Sequence, residues 1–223
     1  MIFENCEGFK IVQKQRTRSE KTKQDIVNAA GKLFSKRGFD MVTMREIAQE
    51  ARCSHTTIYI YFENKLALLH YLSMPPLQNL KQQMEKTMKQ TNLQPKRKLK
   101  TVSQQFIHFC LSNRTMFHIF FYTKPTRVDQ GKPEIEVNKI RIELFNLIKQ
   151  SLQSCLQIEG NDPRMLSFGR IYFYALHGIV GTYESSEEST EELIKRLDGT
   201  FDDTIDVLLY GFHQKMKMEA EHQ

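Results

Sequence analysis

The sequence predicts an all-α protein, with an N-terminal helix-turn-helix of three helices, a larger helical C-terminal region, and about nine helices in all. Three observations carry this. Apolar residues recur at intervals of three and four along most of the chain, and no segment alternates as a strand does. Only 6 prolines and 10 glycines interrupt 223 residues. Long runs of Leu, Ile, Lys, Glu and Gln are good helix formers.

Residues 1–19 read as a basic, flexible tail, with Lys10, Lys14, Arg16 and Arg18 in its second half. Such a segment is either solvated or an arm that follows a nucleic-acid backbone or enters a minor groove. The first helix carries Ile26, Ala29, Ala30, Leu33 and Phe34 on one stripe. Gly38 suits the left-handed position that ends it, and Phe39 can fold back as the hydrophobic contact. Thr43 and Glu46 stand as T-x-x-E, a capping box that opens a second, short helix. Ser54 caps a third, from about Ser54 to Phe62, and Asn64 caps a fourth. The adjacent Pro75 and Pro76 are expected to bend or break that fourth helix, since neither has an amide to donate.

Beyond them, "TNLQPKRKLK" and "TKPTRVDQGKP" read as breaks and "EGNDP" as a stop. Between these lie a helix through Val102, Phe106 and Cys110, a long one from about Pro133 to Gln157, and one begun by Asp162 and Pro163. Ser189 or Thr190 caps the last. The domains expected are 20–72 for the helix-turn-helix and 73–223 for the rest.

Composition narrows the function classes. The net charge of +6 is mild, so where the charge sits matters more than its sum. The 4 cysteines are widely spaced without a C-x-x-C pair, as expected of reduced thiols in a cytoplasmic protein. No apolar run approaches the ~20 residues of a membrane span, and "MIFENCEGFKIV" is a poor signal peptide. With no nucleophile elbow, no phosphate-cradling glycine loop and no paired carboxylates, the reading is not an enzyme, with no metal and no cofactor.

The third helix is the informative surface. Ile58 and Phe62 are four apart and face inward, which leaves His55, Thr56, Thr57, Tyr59, Ile60 and Tyr61 on or near the outside. Hydroxyls can donate to phosphate oxygens, while a methyl or imidazole can touch base edges. Lys65, at the start of the next helix, is placed beside free amides that favour an anion.

"DIVNAAGKLFSKRGFDMVTMREIAQEARCSHTTIYIYFENKLALL" resembles the DNA-binding domain of TetR-family transcriptional regulators. The likeness runs from about Thr22 to Leu72 and includes "T-x-R-E-I-A" and "T-I-Y-x-Y-F-x-N-K". It implies that the third helix enters the major groove. It further implies that Thr43, Tyr61 and Lys65 contact phosphate and that Arg45, His55, Thr56, Thr57 and Tyr59 face the groove or its phosphates. The turn departs from the family in having Arg52 where glycine is usual, and a left-handed residue there costs about 1 kcal/mol or more.

For the C-terminal region the resemblance implies a small-molecule effector and a homodimer that binds a double-stranded operator. Aromatic residues cluster at Phe106, Phe109, Phe117, Phe121 and Tyr172, with His118 and His177 among them. These are the candidate lining of a cavity for a partly apolar ligand. Gly178 and Gly181 allow close helix approach, and Phe173, Phe201, Ile205 and Leu208 supply apolar area for a dimer interface. The function expected is a ligand-released repressor on a palindromic operator. The alternative is a helix-turn-helix assembly protein that no longer reads DNA.

Overall fold

The structure, a computed structural model, describes residues 5–114, 136–159 and 161–221, with side chains from Arg18 onward. Every regular element among the described residues is a helix. In chain order they are α1 (Asn5–Arg37), α2 (Met44–Glu50), α3 (His55–Tyr61) and α4 (Lys65–Lys89). There follow α5 (Pro95–Ser112), α6 (Glu136–Leu156), α7 (Arg164–Tyr183) and α8 (Thr190–Glu221). The chain divides into two compact units, Met1–Pro75 and Pro76–Gln223.

Local chemistry sets the first unit. Gly38 takes φ +78°, and its amide donates to the Phe34 carbonyl at 2.9 Å, closing α1. Phe39 folds back until its ring centroid is 5.4 Å from that of Phe34. The capping box forms as the sequence predicts: Thr43 Oγ1 accepts from the Glu46 amide, and Glu46 Oε2 accepts from the Thr43 amide. Ser54 accepts from the Thr57 amide at 3.0 Å, and Asn64 Oδ1 accepts from the Ala67 amide at 2.8 Å. Ile26, Ala30, Phe34, Ile47 and Ile58 make the core on which the two short helices sit.

Two expectations change here. The segment expected as a tail is helical from Asn5 on. Lys, Arg, Gln and Glu dominate it, all good helix formers, with Gly8 as the one breaker between Asn5 and Lys23. Nor do Pro75 and Pro76 break α4. Their rings remove two amide donors, at a cost of about 3 kcal/mol or more for each interior proline. Against this the apolar stripe stays in phase across them: Leu69, Leu77, Leu80 and Met84 are all buried. Each such side chain contributes roughly 1.5–3 kcal/mol.

The second unit packs α5, α6, α7 and α8 around an aromatic core. Phe173 lies 5.7 Å from Phe106 and 5.5 Å from Phe145, centroid to centroid, and Phe168 stacks on Phe212 at 4.5 Å. α5 and α8 are joined by a ladder with a rung every four residues. Lys96 pairs with Asp206 at 2.8 Å, Lys100 pairs with Asp202, and Gln104 donates to Asp198 at 2.9 Å. Ser189 and Glu192 form a second capping box, at the start of α8. No described helix is long and apolar enough to cross a membrane.

Candidate nucleic-acid interface

α2, the turn and α3 form a helix-turn-helix whose first helix is tied to α1 at both of its ends. Arg37 at the end of α1 pairs with Glu46 at 2.7 Å, and Lys32 pairs with Glu50 at 2.5 Å. The hydrogen bonds from Thr43 and Arg37 hold the Glu46 carboxyl well down, at about 2. In the turn Arg52 adopts φ +56°. Its amide donates to Gln49 at 3.1 Å, while that of Cys53 donates to Ala48 at 3.0 Å. These two bonds form a Schellman motif around a residue that pays the β-carbon penalty for it. The turn keeps the geometry that glycine normally supplies.

α3 buries Ile58 completely and turns its other side to solvent. His55 and Tyr59, one turn apart, meet edge to face at 5.1 Å. Thr56 is exposed, and beyond it Ile60 is 78% exposed. Arg45 is exposed on α2. Together Arg45, His55, Thr56, Tyr59 and Ile60 offer cation, imidazole, methyl and phenol groups on adjoining helical positions. Thr57 is half-buried, and its Oγ1 lies 2.6 Å from Ser54 Oγ.

The three residues expected at phosphates all have partners within the chain. Thr43 Oγ1 donates to Glu46 Oε2 at 2.8 Å while accepting the cap bond. Tyr61 Oη lies 3.1 Å from Ser19 Oγ and so joins α3 to α1. Lys65 Nζ donates to the carbonyls of Phe39 and Val42, each at 2.8 Å, and to Asp40 at 3.4 Å. All three of its donors are engaged, so Lys65 shapes the loop before α2 rather than standing open to an anion. Ile60 is the residue that sequence reasoning left out of the site. Its signal was there: an isoleucine two positions from the buried Ile58 cannot share its face.

Two cavities have a bearing on ligands. One of about 740 Å³ in the first unit is lined among others by Arg18, Lys21, Asp25, Asn28, Lys32 and Arg52. One of about 450 Å³ in the second lies between α4 and α5. Its lining includes Leu80, Gln83, Gln104, Gln105, His108 and Phe109. Of the expected effector residues, Phe109 therefore borders a cavity. Phe106 and Tyr172 expose no surface, and Tyr172 Oη lies 2.7 Å from Ser103 Oγ, so both are packed core. His177 is half-buried, and burial keeps its imidazole below the usual range. Phe117, His118 and Phe121 lie outside the described residues.

The expected dimer residues need a similar correction. Phe173, Phe201 and Ile205 are buried within the chain, and Leu208 is half-buried. The most apolar stripe of an amphipathic helix goes to its own core. The outward faces of α7 and α8 are marked instead by Tyr174, Val207 and Tyr210, which are 65%, 69% and 67% exposed. Gly178 and Gly181 do lie on the exposed side of α7.

Known proteins agree with this geometry. Residues 26–72 match the family model described as bacterial regulatory proteins, tetR family. Over 54 residues the chain is 43% identical to the uncharacterized HTH-type transcriptional regulator YdeS of Bacillus subtilis (strain 168). That match covers 24% of this chain and 27% of YdeS, so it reaches about a quarter of that relative's length. In fold, the chain is similar to the transcriptional regulator FadR of Bacillus subtilis in complex with stearoyl-CoA. The TM-score is 0.59 at 19% identity, over 82% of this chain and 96% of that one. It is also similar to a TetR variant from Acinetobacter baumannii AYE in complex with minocycline. There the TM-score is 0.57 at 23% identity, over 85% of this chain and 94% of that one. Over residues 26–72, its helix-turn-helix segment, the chain is similar to the tetR family of bacterial regulatory proteins.

Proposed function

We propose that this chain is a ligand-responsive transcriptional regulator: a homodimeric repressor that binds a palindromic operator and is released by a small, partly apolar effector. Residues 20–72 act as the DNA-binding domain and 73–223 as the effector-binding and dimerisation domain. The observation that carries this is the outward face of α3, where a capped helix of 7 residues holds Thr56, Tyr59 and Ile60 in solvent while Ile58 anchors it. An isolated module buries little DNA surface, whereas two set about one helical turn apart read a palindrome.

Tyr174, Val207 and Tyr210 supply an apolar outer face for the dimer. Neighbours of the same fold hold stearoyl-CoA or minocycline, which supports an effector role for the second unit. Effector and operator then each weaken the other's binding, because both bias one equilibrium between two arrangements of the dimer.

The test is selection from a random-sequence duplex library by the purified full-length protein. Enrichment of one palindrome is expected, and Thr57→Ala combined with Tyr59→Ala should abolish it while leaving the dimer intact. If that double variant selects as well as wild type, α3 is not the reading helix. If nothing is enriched, the domain serves assembly alone.

A further inference from the structure

We propose that α3 reads the C5-methyl groups of thymine, with Ile60 as the specificity-determining residue; this rests on α3 being the DNA-reading helix. The first support is how hydroxyl groups are used at the start of α3. Ser54 Oγ lies 2.8 Å from Thr56 Oγ1 and 2.6 Å from Thr57 Oγ1, and it accepts from the Thr57 amide at 3.0 Å. Both threonine hydroxyls are thus gathered at the cap. A threonine whose hydroxyl is held this way has its methyl left for other contacts, and Thr56 is exposed.

Ile60 stands one turn beyond Thr56, so the two occupy one stripe of the helix. At 78% it is the most exposed large apolar side chain among the described residues. It does not close the core, because Ile58 fills that place with no exposed surface. A β-branched side chain in a helix is confined to few rotamers, so fixing it in a complex sacrifices little entropy. What Thr56 and Ile60 offer outward is a short, stiff apolar strip flanked by the His55–Tyr59 pair.

Major-groove chemistry decides what such a strip can recognise. Guanine, adenine and cytosine present donors and acceptors there, which an isoleucine desolvates without satisfying. Thymine alone among the four adds an apolar group at the groove edge. A strip of this kind therefore favours thymine by attraction and disfavours the other bases by the penalty of burying their polar edges.

The experiment uses the full-length protein and the duplex it selects from a random library, resynthesised with deoxyuridine replacing one thymine at a time. Uracil keeps the pairing and O4 and lacks only the methyl. Loss of one buried methyl should weaken binding roughly threefold to fivefold at one or more thymines in each half-site. Ile60→Ala should bind the all-thymine duplex correspondingly more weakly and be indifferent to uracil at those positions, whereas Ile60→Val should keep part of the sensitivity. Wild type indifferent to uracil at every thymine overturns the inference while leaving DNA reading intact, and so does Ile60→Ala with full uracil sensitivity. If no sequence is selected at all, the DNA-binding reading fails and this inference falls with it.

Discussion

Lys65 holds Phe39 twice: its ammonium lies 2.8 Å from the Phe39 carbonyl oxygen and 4.3 Å above the centre of its ring. A residue at the start of α4 thereby closes the loop that delivers Thr43 to the head of α2. Lys65→Met should destabilise the first unit by about 1.5–3 kcal/mol, the range for hydrogen bonds to a charged donor. Amide hydrogen exchange across residues 39–43 should rise with it. Unchanged stability together with weaker, less salt-sensitive DNA binding would instead make Lys65 a phosphate contact.

Acid should attack the same corner of the domain. Glu46 has its carboxyl lowered from the ordinary 4.5 to about 2, first by its hydrogen bond from the Thr43 side chain and then by that from Arg37. A lowered pKa stabilises the folded form above pH 4.5, and that contribution disappears as pH falls from there toward 2. Carboxyl NMR should place the Glu46 midpoint near the lower value, and Glu46→Gln should remove this part of the acid dependence. A midpoint near 4.5 means the capping box does not form in solution.

Arg52 is expected to yield stability when replaced. Its φ of +56° disfavours any side chain, and the two Schellman bonds need only its backbone. Arg52→Gly should raise stability by about 1 kcal/mol, read as an upward shift of the thermal midpoint. A fall in the midpoint would show that the guanidinium contributes more than the strain costs.

For the dimer, Tyr210→Arg places a charge on the exposed face of α8 without touching the core. Sedimentation should show monomers with unchanged helix content. A dimer as tight as wild type moves the interface elsewhere.

What the sequence made legible was local. Thr43 with Glu46, Ser54 with Thr57, and Gly38 with Phe34 are contacts within four residues, and each cap forms where the spacing predicts it. The helical class follows from the same periodicity. Longer-range features were harder to read. Pro75 and Pro76 look like a break because the loss of amides is visible in sequence, whereas the burial of Leu77 and Leu80 that offsets it is not. Phe201 and Ile205 look like interface because they are apolar, yet α8 needs them for its own core. The telling mark was an apolar residue off the main stripe, as with Ile60, Tyr174 and Tyr210.

The central claim is tested most directly by the salt dependence of binding to the selected duplex. A dimer that neutralises roughly 6–10 phosphates should lose about 10³–10⁵ in affinity between 50 and 200 mM salt, with log K falling linearly in log salt. The Thr57→Ala, Tyr59→Ala double variant should lose the preference for the selected sequence over random duplex. Binding absent at low salt, or insensitive to it, would contradict the assignment of this helix-turn-helix as a reader of DNA.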